Sequence, residues 1–207
     1  MTGSGGHGPI VDALLSSAEP SIRWKVRTRV LGEAPDGAGL DALRDQIRDS
    51  ERVRRLLAPC RSADPPGTYA KWQGAHWALA ALADLGYPPG DAALHPLRDL
   101  VLDTWLNPSY DVGFVADAKS AAYRRRGVPV IRGRPRRCAS QQGNALWFLC
   151  TLGLADPRCA DLVSRLLRWQ WPDGGWNCDK NPASDTLEYK IHLARPLLES
   201  SGGLACM

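Results

Sequence analysis

Three apolar runs in this 207-residue chain close on a leucine followed at once by glycine: "VLG" at 30–32, "LADLG" at 82–86 and "LCTLG" at 149–153. Glycine reaches the left-handed backbone region at no steric cost, so a Gly after the last apolar residue of a periodic run marks a helix C-terminus. Each stop leads through a polar linker into a second helical run. Asp91 in "YPPGD" and Asp156 in "LADPR" stand as N-caps, and Pro157 suits the first helical position, where a missing donor costs nothing. The second runs also end alike, in "LLAPCRSADPPGTY" (56–69), "WLNPSYDVGF" (105–114) and "WQWPDGGW" (169–176). Each reduces to an apolar helix end, then Pro, Asp, Gly and an aromatic: Tyr69, Phe114 or Trp176. Proline ends the helix, glycine turns the chain and the aromatic packs back on what it has just left. A chain punctuated in this way predicts tandem helical hairpins.

On this reading helices lie near 9–17, 20–31, 40–58, 69–85, 91–106, 139–152 and 156–171, with a short one near 116–126 and a last one from about 185. The longest irregular piece is 107–137. Gln-Gly recurs near the start of two helices, at 73–74 and 142–143. A helical glycine costs about 1 kcal/mol against alanine, so its recurrence predicts close helix approach. Tyr69, Trp72, His76, Leu79 and Ala83 share one helical face, and Cys138, Gln142, Ala145, Leu149 and Leu152 share another. No convincing run of alternating β-branched residues argues for a strand. The predicted fold class is all-α, with about three helix pairs plus a terminal helix repeating along the chain. One domain spans 9–200. "MTGSGGHG" (1–8) reads as a disordered tail and 201–207 as a second tail, truncated or frame-shifted.

Composition narrows the function classes. Apolar residues make up 44% of the chain and charged residues 23%, an ordinary balance for a folded globular protein. No apolar stretch is long enough for a transmembrane helix, and "MTGSGGHGPI" has neither the basic nor the hydrophobic region of a secretory signal. A cytoplasmic location follows, with the six cysteines as thiols. Cys150 and Cys159 read as small core fillers. Net charge is +4, yet "YRRRGVPVIRGRPRR" (123–137) alone holds seven arginines and no acid, so the remainder sums to −3. A basic loop on a mildly acidic body suits a diphosphate or other anion, or an acidic membrane surface. Nucleic acid is disfavoured, because no stacking aromatics interleave with the arginines.

Gln170, Gly174 and Trp176 form a Q-x-x-x-G-x-W core. With "KWQGAHWALAALADLGYPPGD" and "CASQQGNALWFLCTLGLADPR", it resembles the prenyltransferase/squalene-oxidase repeat of terpenoid cyclases and protein prenyltransferases. The resemblance covers about 69–185. It implies an α/α toroid, here incomplete, and an aromatic-lined hollow that takes an isoprenoid or another apolar chain. The residues that carry the family's chemistry are not all present. The chain has no D-x-D-D and no D-D-x-x-D, and Leu187 stands two residues after Asp185, where a zinc-binding member has Cys. Whether the protein is an enzyme is therefore open, and no cofactor is expected. The alternative is a non-catalytic repeat module that binds a protein, by self-association or through a partner chain that completes the ring.

The candidate binding residues are Trp72, Trp77 and Trp147 with Arg124, Arg125 and Arg126; Trp169, Trp171 and Trp176 offer cation–π faces for a carbocation but read first as a packed repeat corner. Asp111 and Asp117 flank the basic loop and, with His76, are the candidate acids and bases. Gln170, Gly174, Trp176, Tyr69 and Phe114 are assigned to the repeat corners. Cys178, Asp179 and His192 lack the spacing and the fourth partner of a metal site, so no metal is expected.

Overall fold

The computed structural model describes residues 8–35, 37 and 39–181, and the chain divides into two compact units, Met1–Ala92 and Ala93–Met207. In the first unit α1 (Pro9–Leu15) precedes α2 (Pro20–Lys25), which runs on into a π-helical turn over Val26–Val30. Glu19 caps α2 by accepting from the Ser21 N–H at 3.4 Å. The charged run after Gly32 is not one helix but two, α3 (Asp41–Arg48) and α4 (Glu51–Leu57). Ser50 breaks it: its hydroxyl oxygen accepts from the Val53 N–H at 3.3 Å and starts a new helix. α5 (Ala75–Leu85) packs against α2 and α4, and Trp24, Leu43, Ile47, Val53, Leu57, Leu79 and Leu82 form the buried core.

Residues 69–74, expected at the head of α5, form a turn in which Trp72 takes a positive φ of 68°. His76, Leu79 and Ala83 are buried as the predicted face requires, whereas Trp72, outside the helix, is 67% exposed. Gly74 caps α5 from an extended conformation. A Cβ there would lie 2.4 Å from the carbonyl oxygens of Gly67 and Thr68, so this glycine serves a crossing of backbones rather than of helices.

The second unit holds α6 (His95–Trp105), α7 (Lys119–Arg124), α8 (Ala139–Thr151) and α9 (Arg158–Arg168). α8 packs on α9, and α6 contacts both. Leu97, Val101, Leu102, Leu146, Phe148, Leu149, Leu162 and Leu166 are buried. Between α6 and α8 lies a three-stranded mixed sheet of β1 (Gly113–Val115), β2 (Val128–Ile131) and β3 (Arg134–Pro135). β1 and β2 are parallel, with Phe114 opposite Pro129, and α7 makes the crossover between them. β2 and β3 are antiparallel, with Ile131 opposite Arg134. Arg132 and Gly133 at the tip both have positive φ, as a tight two-residue hairpin turn demands.

The all-α expectation, and with it the partial α/α toroid of tandem hairpins, is corrected by this sheet. The segment 107–137, read as irregular, carries a β-branched run, Val128-Pro129-Val130-Ile131, too short and too closely flanked by arginines to show an alternating pattern. Phe114, read as the aromatic of a second helix corner, lies on β1 and packs against Ala116, Ala122 and Ile131. The glycine stops hold: Gly32, Gly86 and Gly153 all have positive φ. The predicted last helix, most of the N-terminal tail and the C-terminal tail lie outside the described residues, as do Asp185 and His192.

Candidate functional site

Three indole N–H groups tie the end of α9 to its surroundings. Trp169 Nε1 donates to Asp111 Oδ1 at 2.7 Å, Trp171 Nε1 to the Pro135 carbonyl at 2.8 Å and Trp176 Nε1 to the Leu166 carbonyl at 2.9 Å. The turn between them is closed by Gln170 Nε2, which donates to the Gly174 carbonyl at 2.8 Å, and by Gly174 at φ 85°. Trp171 and Trp176 are buried. The tryptophan-rich corner is thus an anchor. It clamps the loop before β1, through Asp111, and the last strand, through Pro135, to α9.

That clamp shapes a cavity of about 370 Å³ in the second unit. Its walls carry Arg124, Arg125 and Arg126 from the end of α7, Arg136 and Arg137 from just before α8, and Lys180. Trp105, Tyr110 and Tyr123 supply the aromatic surface, and among the described residues no carboxylate lines it. The guanidinium of Arg126 stacks over Tyr110 at 5.6 Å and the ammonium of Lys180 over Tyr123 at 4.4 Å. Such stacking holds a cation in place without neutralising it. Arg137 is 6% exposed: its Nε donates to Gln142 Oε1 at 3.1 Å and its Nη1 to the Tyr110 carbonyl, while Nη2 meets no acceptor among the described residues. Burial pulls the Arg137 pKa below its ordinary value. An anion in the cavity would supply the missing acceptor and offset that desolvation.

Two cysteines share the wall, Cys138 and Cys178. Cys138 is the N-cap of the 13-residue helix α8, and its sulfur lies 3.3 Å from the Ser140 hydroxyl. The neighbouring Cys178 thiol lowers the Cys138 pKa. Burial opposes that shift, and the Ser140 hydroxyl and the first-turn amides reinforce it. Cys178 moves the other way, pushed up by the neighbouring Cys138 and by burial. By contrast, burial pushes the thiols of Cys60 and Cys159 up.

No family model, curated protein or solved structure matches this chain. The geometry alone therefore orders the candidates. It gathers Arg124, Arg125 and Arg126 on one wall and leaves the other sequence candidates elsewhere. Trp72 and Trp77 sit in the first unit, 4.6 Å apart, beside His76. His76 is buried, and that burial lowers its pKa to about 4. Asp117 is exposed after β1, and Trp147 is on α8 outside the cavity lining. Asp111 is taken up by Trp169 and by the guanidinium groups of Arg168 and Arg165.

Sequence reading did not single out Tyr110, Tyr123, Arg137, Cys138 and Lys180 as binding residues. A signal existed for some of them. Tyr123 directly precedes the Arg124–Arg126 run, and Cys138 directly follows Arg136–Arg137, where a helix begins. Among the described residues no three His, Cys, Asp or Glu side chains are placed to hold a metal ion, and no helix is long and apolar enough to cross a membrane.

Proposed function

We propose that the second unit binds a small molecule with an anionic, phosphate-like head, held in the arginine cavity. One observation carries this reading: six cationic side chains and three aromatic rings, with no carboxylate among the described residues, line a single hollow of about 370 Å³. Guanidinium forks suit phosphate oxygens, and tyrosine and tryptophan faces suit the apolar or planar body attached to them. The resemblance of Gln170, Gly174 and Trp176 to the prenyltransferase/squalene-oxidase repeat supports an isoprenoid as that body, so an isoprenoid diphosphate combines both features. A purely apolar, neutral chain fits this lining poorly, because it would take water from the exposed Arg124, Arg125 and Arg126 without offering a partner. The motifs that carry the family's cyclase and transferase chemistry are missing, so the proposal stops at binding.

Titration calorimetry at low salt with inorganic pyrophosphate, farnesyl diphosphate and farnesol tests it. Farnesyl diphosphate and pyrophosphate bind, farnesol does not, and binding weakens steeply between about 50 and 300 mM salt as the charges are screened. A change of Arg124 and Arg126 together to Ala weakens both diphosphates about tenfold or more. Tight binding of farnesol with no response to pyrophosphate overturns the reading.

A further inference from the structure

Exposure divides the polar wall of the cavity into two sets. Arg124, Arg125 and Arg126 are exposed, whereas Arg137 is 6% and Gln142 3% exposed. We infer that Arg137 and Gln142 form a buried oxyanion subsite that takes a terminal, singly esterified phosphoryl group and rejects a phosphodiester. The inference rests on the anion-binding cavity proposed above, and adds which end of the ligand enters and which phosphate linkage it carries.

The two side chains are built as one set of donors. Arg137 Nε donates to Gln142 Oε1 at 3.1 Å, and Arg137 Nη1 donates to the Tyr110 carbonyl. Both acceptors are neutral, so neither bond cancels the guanidinium charge. With Oε1 engaged, what Gln142 has left to offer a ligand is its amide N–H. Arg137 Nη2, shut off from water, meets no acceptor among the described residues. A charged donor in that position has lost its hydration and gained no partner. An anionic oxygen that reaches it therefore forms a stronger bond than one at the exposed arginines. Arg137 stands just before α8 and Gln142 in its first turn, where the dipole of a 13-residue helix also favours negative charge.

Burial sets the selectivity. A terminal phosphoryl group presents three oxygens beyond its single ester link. It can send oxygens to Nη2 and to the Gln142 amide while its organic part stays with Tyr110 and Tyr123, which line the same cavity. A phosphodiester has two such oxygens and a second organic arm, which would have to enter beside two side chains that are almost wholly covered. The linkages of nucleic-acid backbones and of bilayer phospholipids are for that reason poor occupants. The exposed arginines attract any anion, and salt screens that attraction.

Scanning and titration calorimetry of the full chain at fixed ionic strength, with phenyl phosphate, phenyl sulfate and methyl phenyl phosphate, test the subsite. The last two each carry one negative charge and differ little in bulk, but one has three terminal oxygens and the other two. Phenyl phosphate and phenyl sulfate raise the melting temperature, and methyl phenyl phosphate binds roughly tenfold more weakly than phenyl sulfate, the worth of about one hydrogen bond to a charged group. Gln142→Glu gives Arg137 a carboxylate of its own and abolishes the phenyl phosphate response while the cooperative melt is retained. Arg137→Lys keeps the charge, loses the fork and weakens phenyl phosphate roughly tenfold. If methyl phenyl phosphate matches phenyl sulfate, or Gln142→Glu binds phenyl phosphate as wild type does, the buried subsite is overturned and the cavity reading stands. No response to phenyl phosphate also overturns the subsite, and if inorganic pyrophosphate is silent as well the cavity reading falls with it. The three esters on the wild-type chain decide the matter should a variant fail to fold.

Discussion

The Trp169 indole N–H donates to Asp111 Oδ1 across 2.7 Å, joining residues 58 positions apart in the chain. Asp111 also pairs with Arg168 and lies 3.8 Å from Arg165, so one carboxylate that is 10% exposed closes the C-terminal end of α9 onto the loop before β1. A carboxylate with these partners is already committed to holding the fold, which places it poorly for a role as a catalytic acid.

Asp111→Ala removes the acceptor and leaves Trp169 and two arginines facing a gap. The second unit loses about 2–3 kcal/mol of stability, the range for breaking a partly buried charged hydrogen-bond set. Asp111→Asn keeps an acceptor for Trp169 and loses about half as much. Urea denaturation followed by tryptophan fluorescence measures both. Equal stability of wild type and Asp111→Ala is the outcome that refutes the clamp.

Two left-handed glycines differ in what surrounds them. A Cβ on Gly174 (φ 85°) meets nothing within 4 Å, whereas one on Gly86 (φ 83°) lies 2.4 Å from the Trp24 ring. Gly174→Ala therefore costs only the conformational penalty, about 1 kcal/mol. Gly86→Ala adds displacement of a buried indole and costs about 3 kcal/mol or more. Melting curves of the two variants should show a clearly larger drop for the second.

His76 provides a pH signature. Burial among Tyr69 and Trp77 lowers its pKa to about 4, against an ordinary 6.5. As pH falls below about 6.5 the unfolded chain takes up a proton that the folded chain refuses until about 4. Stability of the first unit thus declines through that window by about 2–3 kcal/mol and levels off below it. His76→Gln flattens the slope, and an NMR titration of the His76 ring shows no protonation between pH 7.5 and 5.5. A ring that titrates near 6.5 contradicts the buried placement.

Arg158 bridges Asp156, at the head of its own helix, to Asp99 and Asp103 on α6. These groups are partly exposed, so solvent screening limits their worth despite the number of contacts. Asp99→Ala costs about 0.5–1 kcal/mol at low salt and almost nothing in high salt. A loss above about 2 kcal/mol in high salt refutes that weighting.

Sequence reading reached the helices because local chemistry sets them. Proline, glycine and cap residues stop or start a helix wherever they stand, and the predicted centres of α5, α6, α8 and α9 lie inside the observed helices. It also reached the corner at Gln170, Gly174 and Trp176, whose hydrogen bonds join near neighbours. It missed the split at Ser50, where a cap signal was present, and the sheet, whose strands are short and pair with one another. The Arg124–Arg126 run was visible by charge density alone. Its aromatic partners were not, since Tyr110 precedes the run by fourteen positions and reaches it only through the folded loop.

The order of residues by itself determined a mostly helical chain with glycine stops, a proline-turned tryptophan corner and one basic loop. Each follows from forces that act within a few residues: backbone sterics, capping and the helical period. Only the tertiary structure decided that the basic loop carries a mixed sheet, that Trp169 and Trp171 clamp it to α9 and that Cys138 and Cys178 line one cavity with Arg137. The two indole contacts join positions 36 and 58 apart, and nothing local records them. They are chosen by which polar groups can find partners once apolar surfaces have closed.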